Sequence, residues 1–436
     1  MQQKIQQLWA LRHEKLIQGS FWLTVGGFFA SIGNFIFNLM IGRFLSPGEY
    51  GTFMALLSLS IIISLPSAII TTLVTKFTAD FSVKDEEKKI ARMVRKFTEF
   101  TFYGGITIII FFVIFNNSIQ QFLNINGSEL IMLTGITIGI GLVTSINHGV
   151  YRGLLLFKAL SLLGLFAVLV RLLVGWVLVG NSFAVFGALM ATFLSSVISW
   201  VASIKPIVKY FKSPNSGSMG IRDRIFAFSV PTFAITAAST LYLNADLLLV
   251  KHYFSPHDAG IYAAAAIMGK AIFYVLGPIS VVLFPLVSQR FAIQKNTNRE
   301  LFLSLFITIF GGCCALIIYF LFPDFVVRLF FPNIEYSPTN QYLVSYGIFM
   351  FLYSVAFLLL NFFLAVEKNI ATYFGLIFSL LQIVLIVLFH DSLMTVIYAS
   401  IFSTSILLLF LSAMLMPFYK THLVLRKVHS NIDKSL

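Results

Sequence analysis

Arg43-Phe44-Leu45-Ser46-Pro47-Gly48-Glu49-Tyr50-Gly51-Thr52-Phe53 has a second copy, His252-Tyr253-Phe254-Ser255-Pro256-His257-Asp258-Ala259-Gly260-Ile261-Tyr262. Both read apolar, Ser-Pro, spacer, acid, spacer, Gly, spacer, aromatic, and Ser46 and Ser255 stand 209 positions apart (255 − 46). Each copy lies between two long apolar runs, so each reads as a tight turn joining two membrane spans. Pro sets φ at the turn, the acid caps the following helix, and Gly eases its first turn. A repeat at about half the chain length points to two related halves.

Composition agrees with a membrane setting. The 436 residues are 58% hydrophobic and 11% charged, against about 25% charged in ordinary soluble domains. Apolar runs of 18 or more residues recur from end to end, each long enough to cross the hydrocarbon as a helix. They are continuous rather than alternating, which excludes a β-barrel. Met1 to Gln18 is polar without a cleavable signal pattern, so the first span is expected to act as the insertion signal. The net charge of +13 would suggest nucleic acid in a soluble protein; here the basic residues sit in loops as topology signals, and no nucleic-acid partner is expected. Cys313 and Cys314 are adjacent within an apolar run and read as packing residues.

Residues 1–18 read as an amphipathic interfacial segment. Six spans over 19–204 form an N-lobe, 205–224 is a polar cytoplasmic linker, six more spans over 225–416 form a C-lobe, and 417–436 is a basic cytoplasmic tail. The charged stretch Lys76 to Lys96 reads as a short helix on the membrane surface, and Asn116 to Glu129 as a polar loop. With both termini inside, the outside loops hold only Arg43, Lys251 and Arg328, the lopsided split of the positive-inside rule. Six spans per half make the halves parallel repeats about an axis along the membrane normal, with a substrate site expected between them. The fold class is therefore an all-α polytopic membrane protein of about twelve transmembrane helices in two six-helix lobes.

The set Gly42-Arg43-Phe44-Leu45-Ser46-Pro47-Gly48-Glu49-Tyr50-Gly51, Tyr151-Arg152-Gly153-Leu154 with Phe157-Lys158, Asn244-Ala245-Asp246, Phe254-Ser255-Pro256 and Ala259-Gly260-Ile261-Tyr262 resembles the polysaccharide biosynthesis flippases. These are the Wzx-like branch of the multidrug/oligosaccharidyl-lipid/polysaccharide exporter superfamily. The resemblance spans almost the whole chain. It implies a V of two lobes around a central cavity. It also implies movement of an undecaprenyl-pyrophosphate-linked oligosaccharide, as in O-antigen assembly, from the inner to the outer leaflet of a bacterial cytoplasmic membrane. Lipid II flippase and sporulation relatives usually carry two further spans, which weighs against them here.

Ionisable residues inside spans are functional candidates because burying them is costly. Arg171 and Lys270 are the internal cations, suited to an anionic lipid-pyrophosphate, which Arg can hold bidentately; outward snorkelling of Arg171 and local pairing of Lys270 are the bland alternatives. Arg43, at the outer end of span 1, and Arg152, at the cytoplasmic mouth, complete the candidate cations; Arg43 also reads as an interfacial anchor and Arg152 as a topology signal. Asp246 is a candidate coupling or gating acid or half of a structural ion pair, with Lys270, Lys251, Arg43 and Arg171 as open partners. Asn34 and Asn38 in span 1 and Asn244 in span 7 could line a cavity or hold helices together. Pro66, Pro231 and Pro278, together with Pro285, are hinge candidates, against static bending. Asn147-His148 in span 4 read as packed polar residues.

No Walker loop, zinc pair or nucleophile elbow is present, so no enzyme activity, metal or cofactor is expected, and a Na⁺ or H⁺ gradient is the candidate energy source. The expected partners are the lipid-linked oligosaccharide, membrane lipids, and a polymerase or glycosyltransferase of the same pathway; a monomer is expected. An ion-coupled drug or metabolite exporter of the same superfamily is the main alternative, and a membrane polysaccharide polymerase or ligase a weaker one. The two Ser-Pro turns are expected to face each other across the outer opening, close enough for cysteines at Gly48 and His257 to crosslink only when the cavity opens inward.

Overall fold

A computed structural model describes residue 22 and residues 25–211 and 222–432, with side chains described up to 211 and again over 233–415. The amphipathic reading of residues 1–18 and the centre of the linker, 212–221, lie outside the described residues. Every long apolar run forms a helix. In chain order these are α1 (Val25–Phe44), α2 (Pro47–Ile63), α3 (Leu65–Val83), α4 (Glu87–Ile114), α5 (Asn116–Leu123), α6 (Ser128–Gly153), α7 (Phe157–Gly180), α8 (Ala184–Ser203) and α9 (Lys205–Phe211). The second half continues with α10 (Arg222–Tyr253), α11 (Pro256–Ala292), α12 (Asn298–Leu321), α13 (Pro323–Phe330), α14 (Asn340–Ala365), α15 (Ile370–Leu388) and α16 (Leu393–Ile432), with a 3₁₀ segment Ile334–Thr339 before α14.

Among the described residues, 11 helices are long and apolar enough to cross a membrane, or 12 when α2 and α3 count as one span bent by 42°. The bend falls at Ser64, with Pro66 just inside α3, where the missing proline N–H leaves the hydrogen-bond ladder incomplete. The charged stretch departs from its expected form. It is not a separate surface helix: α3 runs to Val83, a turn with Asp85 at φ 54° follows, and α4 starts at Glu87. Apolar residues at Phe77, Phe81, Ile90, Ala91, Met93 and Val94 pack into one buried cluster, so the helices extend past the apolar run along this seam. The polar loop expected over Asn116 to Glu129 likewise holds the short helix α5, and the short helix α13 links α12 to the 3₁₀ segment.

The chain divides into two compact units. One comprises Met1–Thr236, Leu247–Ile267 and Asp324–Thr339; the other comprises Ala237–Asp246, Met268–Pro323 and Asn340–Leu436. In the first, α6 is the central helix, packed on α3, α4 and α8. Small residues let it approach: Gly139 lies against the Gly105 backbone, and Gly149 and Gly153 lie against Val74 and Thr78 of α3. Between membrane helices, close packing replaces the hydrophobic driving force that water supplies elsewhere. In the second unit α14 holds the same place, packed on α12, α15 and α16. Helices α4 and α12, the third span of each half, are the least buried. They present Phe100, Phe102, Phe302, Phe306 and Phe310 outward, a surface suited to lipid.

Helices α1 and α7 share a seam in the first unit. Gly26 meets Ser161, Gly33 meets Val168, and Phe37 meets Gly175. Both numbers rise together, so the helices run parallel, and the seven-residue steps along α7 are those of a left-handed supercoil.

Candidate functional site

Both Ser-Pro turns form the caps their residues suggest. Glu49 Oε2 accepts hydrogen bonds from the Ser46 backbone N–H (3.0 Å) and hydroxyl (2.8 Å). Ser255 Oγ accepts from the Asp258 N–H (3.1 Å) and donates to Asp258 Oδ2 (2.7 Å). In each case a proline opens the helix, where its missing N–H costs nothing.

The two turns meet inside the first unit. A Cβ on Gly51 would lie 2.7 Å from the Gly260 nitrogen, and one on Gly48 would lie 3.5 Å from Pro256 Cβ. The equivalent glycines of the two copies thus form the crossing point of α2 and α11. Tyr50 packs on Phe331 and Tyr336 (ring centroids 5.4 and 6.2 Å), and the Tyr336 hydroxyl donates to the Leu45 carbonyl (3.1 Å).

Around that crossing stands a reciprocal pair of contacts. Arg43 Nε donates to the Phe330 carbonyl (3.0 Å), and its Nη2 donates to the Leu329 carbonyl. At the equivalent position of the second copy, His252 Nδ1–H donates to the Phe122 carbonyl (2.6 Å) while its ring stacks on Phe122 at 4.2 Å. Asn124 returns a hydrogen bond to the His252 carbonyl (2.9 Å). Both acceptor groups lie at the C-terminal ends of short helices, α13 and α5, where carbonyls lack intrahelical donors and the dipole favours a basic partner. The sequence carried an unread signal for this. Phe122-Leu123-Asn124-Ile125 and Phe331-Pro332-Asn333-Ile334 repeat at the same offset of 209. Arg43, expected as a substrate cation or an anchor, donates to main-chain carbonyls 286 and 287 positions away.

Arg171 and Asn34, singled out separately from the sequence, come together on the α1–α7 seam. Arg171 Nη1 donates to Asn34 Oδ1 (2.7 Å), and the guanidinium lies 5.3 Å from the Phe37 ring centre. Its Nε has no hydrogen-bond partner among the described residues, nor does Asn38 Oδ1 one turn further along α1. The guanidinium is thus half-buried, bonded along one edge and unsatisfied at Nε.

In the second unit, Asp246 is wholly buried and accepts a 2.6 Å hydrogen bond from the Tyr346 hydroxyl. Lys270 is 3% exposed and lies within electrostatic range of Asp246. Gly269 makes room for the Tyr346 ring beside it, where a Cβ would come within 2.4 Å. Of the four partners open to Asp246, Lys270 shares its unit. Asn244 turns its amide to the Thr240 carbonyl of its own helix (2.9 Å). Arg152 is exposed near the end of α6. Asn147 donates to Ser203 Oγ (2.7 Å), the packed role expected of it. Pro278 and Pro285 lie inside an unbroken α11; Pro231 falls in α10 at a position whose side chain is outside the described residues. Among the described residues, no group of three or more His, Cys, Asp or Glu side chains gathers as a metal site.

Residues 40–341 match the family described as "Polysaccharide biosynthesis protein". Among curated proteins, sporulation protein YkvU of Bacillus subtilis (strain 168) is 23% identical over 360 residues, covering 75% of this chain and 77% of the relative. The span count weighs against sporulation relatives, yet one of them aligns over most of its length. Among solved structures, an inward-facing multidrug resistance MATE family transporter of the MOP superfamily superposes with a TM-score of 0.74 at 13% identity, covering 90% of this chain and 96% of that one. The lipid II flippase MurJ in an inward closed conformation gives 0.70 at 16% identity, covering 89% and 86%. At such identities these likenesses speak to the fold, which is that of the MOP superfamily. The duplicated Ser-Pro turns, the all-helical membrane fold and the match across 40–341 place the chain in the polysaccharide biosynthesis protein family.

Proposed function

We propose that this protein is a flippase that carries an undecaprenyl-pyrophosphate-linked oligosaccharide from the inner to the outer leaflet of a bacterial cytoplasmic membrane, by alternating access, for cell-surface polysaccharide biosynthesis. The observation that carries this reading is the family match, which covers both Ser-Pro turns and both internal cations. The charge bias supports an orientation in which the turns face outward and both termini face the cytoplasm.

The cations support an anionic cargo. A pyrophosphate headgroup crossing the low-dielectric midplane needs positive charge along its path. Arg171 offers a guanidinium edge with Asn34 fixing the other side. Lys270 offers an ammonium whose neighbouring acid, Asp246, is also held by Tyr346. The lipid tail would stay in the bilayer along the Phe-rich faces. Asp246 is the proposed entry point of a Na⁺ or H⁺ coupling ion, since protonation or ion binding there would change the charge that Lys270 presents.

A drug exporter of the same fold is the second reading. Among described residues, the fully buried charged side chains are Asp246, Lys251 and Lys270. An excess of cations suits an anionic cargo better than a cationic drug. Glycan export in strains carrying Arg171→Ala or Lys270→Ala decides between them. The expected result is at least a tenfold fall in surface glycan with normal protein level. Normal export in both strains would overturn the role given to the cations, and unchanged surface glycan in a strain lacking the protein would overturn the flippase reading.

A further inference from the structure

On the orientation proposed above, Lys251 is one of the few outward basic residues, and beyond its share of the buried positive charge no role has been given to it. It sits in the last turn of α10 and is 0% exposed, and its Nζ has no hydrogen-bond partner among the described residues. Burying an unpaired ammonium is costly, so a protein keeps one only where something offsets the charge.

Beside Lys251 lies a cavity of about 400 Å³ within the first unit, whose wall includes Thr52, Asn126, Glu129, Phe183 and Phe186. Four helices begin at this wall: α2 at Pro47, α6 at Ser128, α8 at Ala184 and α11 at Pro256. Their first-turn N–H groups and dipoles add positive potential to that of the ammonium. Two acids, Glu49 and Glu129, share this wall, each in the first turn of its helix. Glu49 is bound to Ser46. Glu129 folds back so that its Oε1 lies 2.9 Å from where a Cβ on Gly127 would stand. Neither forms an ion pair with Lys251.

The remaining wall combines an apolar ring with polar side chains. Phe183 is 52% exposed and offers a flat apolar face to ring C–H groups. The Asn126 amide and the Glu129 carboxylate offer partners for hydroxyls, and the Thr52 hydroxyl, which donates to the Gly48 carbonyl (3.0 Å), can still accept. We infer that this cavity binds a carboxylate-bearing sugar, with the carboxylate drawn to Lys251, the side chain swinging by a rotamer to meet it, and the ring resting on Phe183. On the outward orientation proposed above, it is an exit-side site for an acidic residue of the glycan. The inference deepens the flippase reading but is tested separately from it.

The test is binding by the purified full chain in detergent, measured calorimetrically with glucuronate, glucose, acetate and inorganic phosphate. Saturable glucuronate binding is expected, with glucose, acetate and phosphate at least tenfold weaker. Lys251→Gln should weaken glucuronate at least tenfold, and Asn126→Ala and Phe183→Ala, both at exposed positions, at least threefold. Without ligand, Lys251→Met should raise Tm, because it removes a buried charge that lacks a partner. Four results would overturn the inference: no glucuronate binding, equal binding of acetate or phosphate, unchanged binding in Lys251→Gln, or a lowered Tm in Lys251→Met. None of these touches the flippase reading, which stands or falls on glycan export.

Discussion

Gly260 lies so close to Pro47 that a Cβ on the glycine would stand 1.8 Å from the proline carbonyl oxygen. Neither partner is a side-chain end that could turn aside. Gly260→Ala must therefore push α11 away from α2, with an overpacking cost of about 1–3 kcal/mol. Cysteines at Gly48 and His257 report on this contact, since a Cβ at Gly48 touches Pro256. Strong crosslinking by a short bifunctional reagent is expected in the otherwise unchanged protein, and at least a threefold loss when Gly260→Ala is added. Equal crosslinking with and without the alanine would show that the crossing is not tight.

Arg43 and His252 should act as latches rather than as cargo ligands. Arg43→Gln removes a charged donor from the Phe330 and Leu329 carbonyls at the end of α13, and His252→Ala removes the donor and the stacked ring from Phe122. Each substitution should lower the Gly48–His257 cysteine crosslink about twofold, and the two together more than either alone. Arg43→Lys should recover part of the effect, because one donor can still reach a carbonyl, though without the fork geometry of arginine. If crosslinking is unchanged while glycan export falls, Arg43 meets cargo instead.

Asp246→Asn leaves Lys270 buried without its neighbouring negative charge. A buried ammonium that loses nearby compensating charge is destabilised, so a clear fall in Tm is expected. The double substitution Asp246→Leu with Lys270→Met should restore most of the stability. Export should stay low in that double variant if the pair serves transport, and recover with Tm if the pair is only structural. Tm and surface glycan, measured on the same set of strains, separate the two roles.

The Arg171–Asn34 contact predicts a difference between arginine and lysine. Arg171→Lys keeps the charge but gives up the fork that bonds Asn34 on one side and leaves Nε on the other. Export is expected to fall severalfold in Arg171→Lys and at least tenfold in Arg171→Ala. Full activity in Arg171→Lys would reduce the residue to a point charge.

A packing prediction follows from the α1–α7 seam. Gly33 faces Val168, where a Cβ would come within 2.4 Å of a valine methyl group. Gly33→Leu should separate the helices and lower Tm, while a leucine at Gly27, where nothing lies within 4 Å, should be tolerated. Thermal unfolding in detergent compares the two directly.

Membrane spans are a local property. A run of about 20 apolar residues must become a helix in hydrocarbon, because each backbone polar group has to be satisfied within its own segment. The sequence by itself therefore determined the span count, the two-fold repeat and the capped Ser-Pro turns, since capping joins residues three apart: Ser46 with Glu49, Ser255 with Asp258. Only the tertiary structure decided that residues 247–267 and 324–339 pack with the first half of the chain. It also decided that Arg43 grips carbonyls on α13, that Arg171 meets Asn34, and that Lys251 lies buried beside an open cavity. Those partners stand far apart in the chain, and their meeting depends on which helix faces touch. Helix faces in a membrane are chosen by close packing of small residues, such as Gly51 on Gly260, and that choice leaves little trace in hydropathy or spacing.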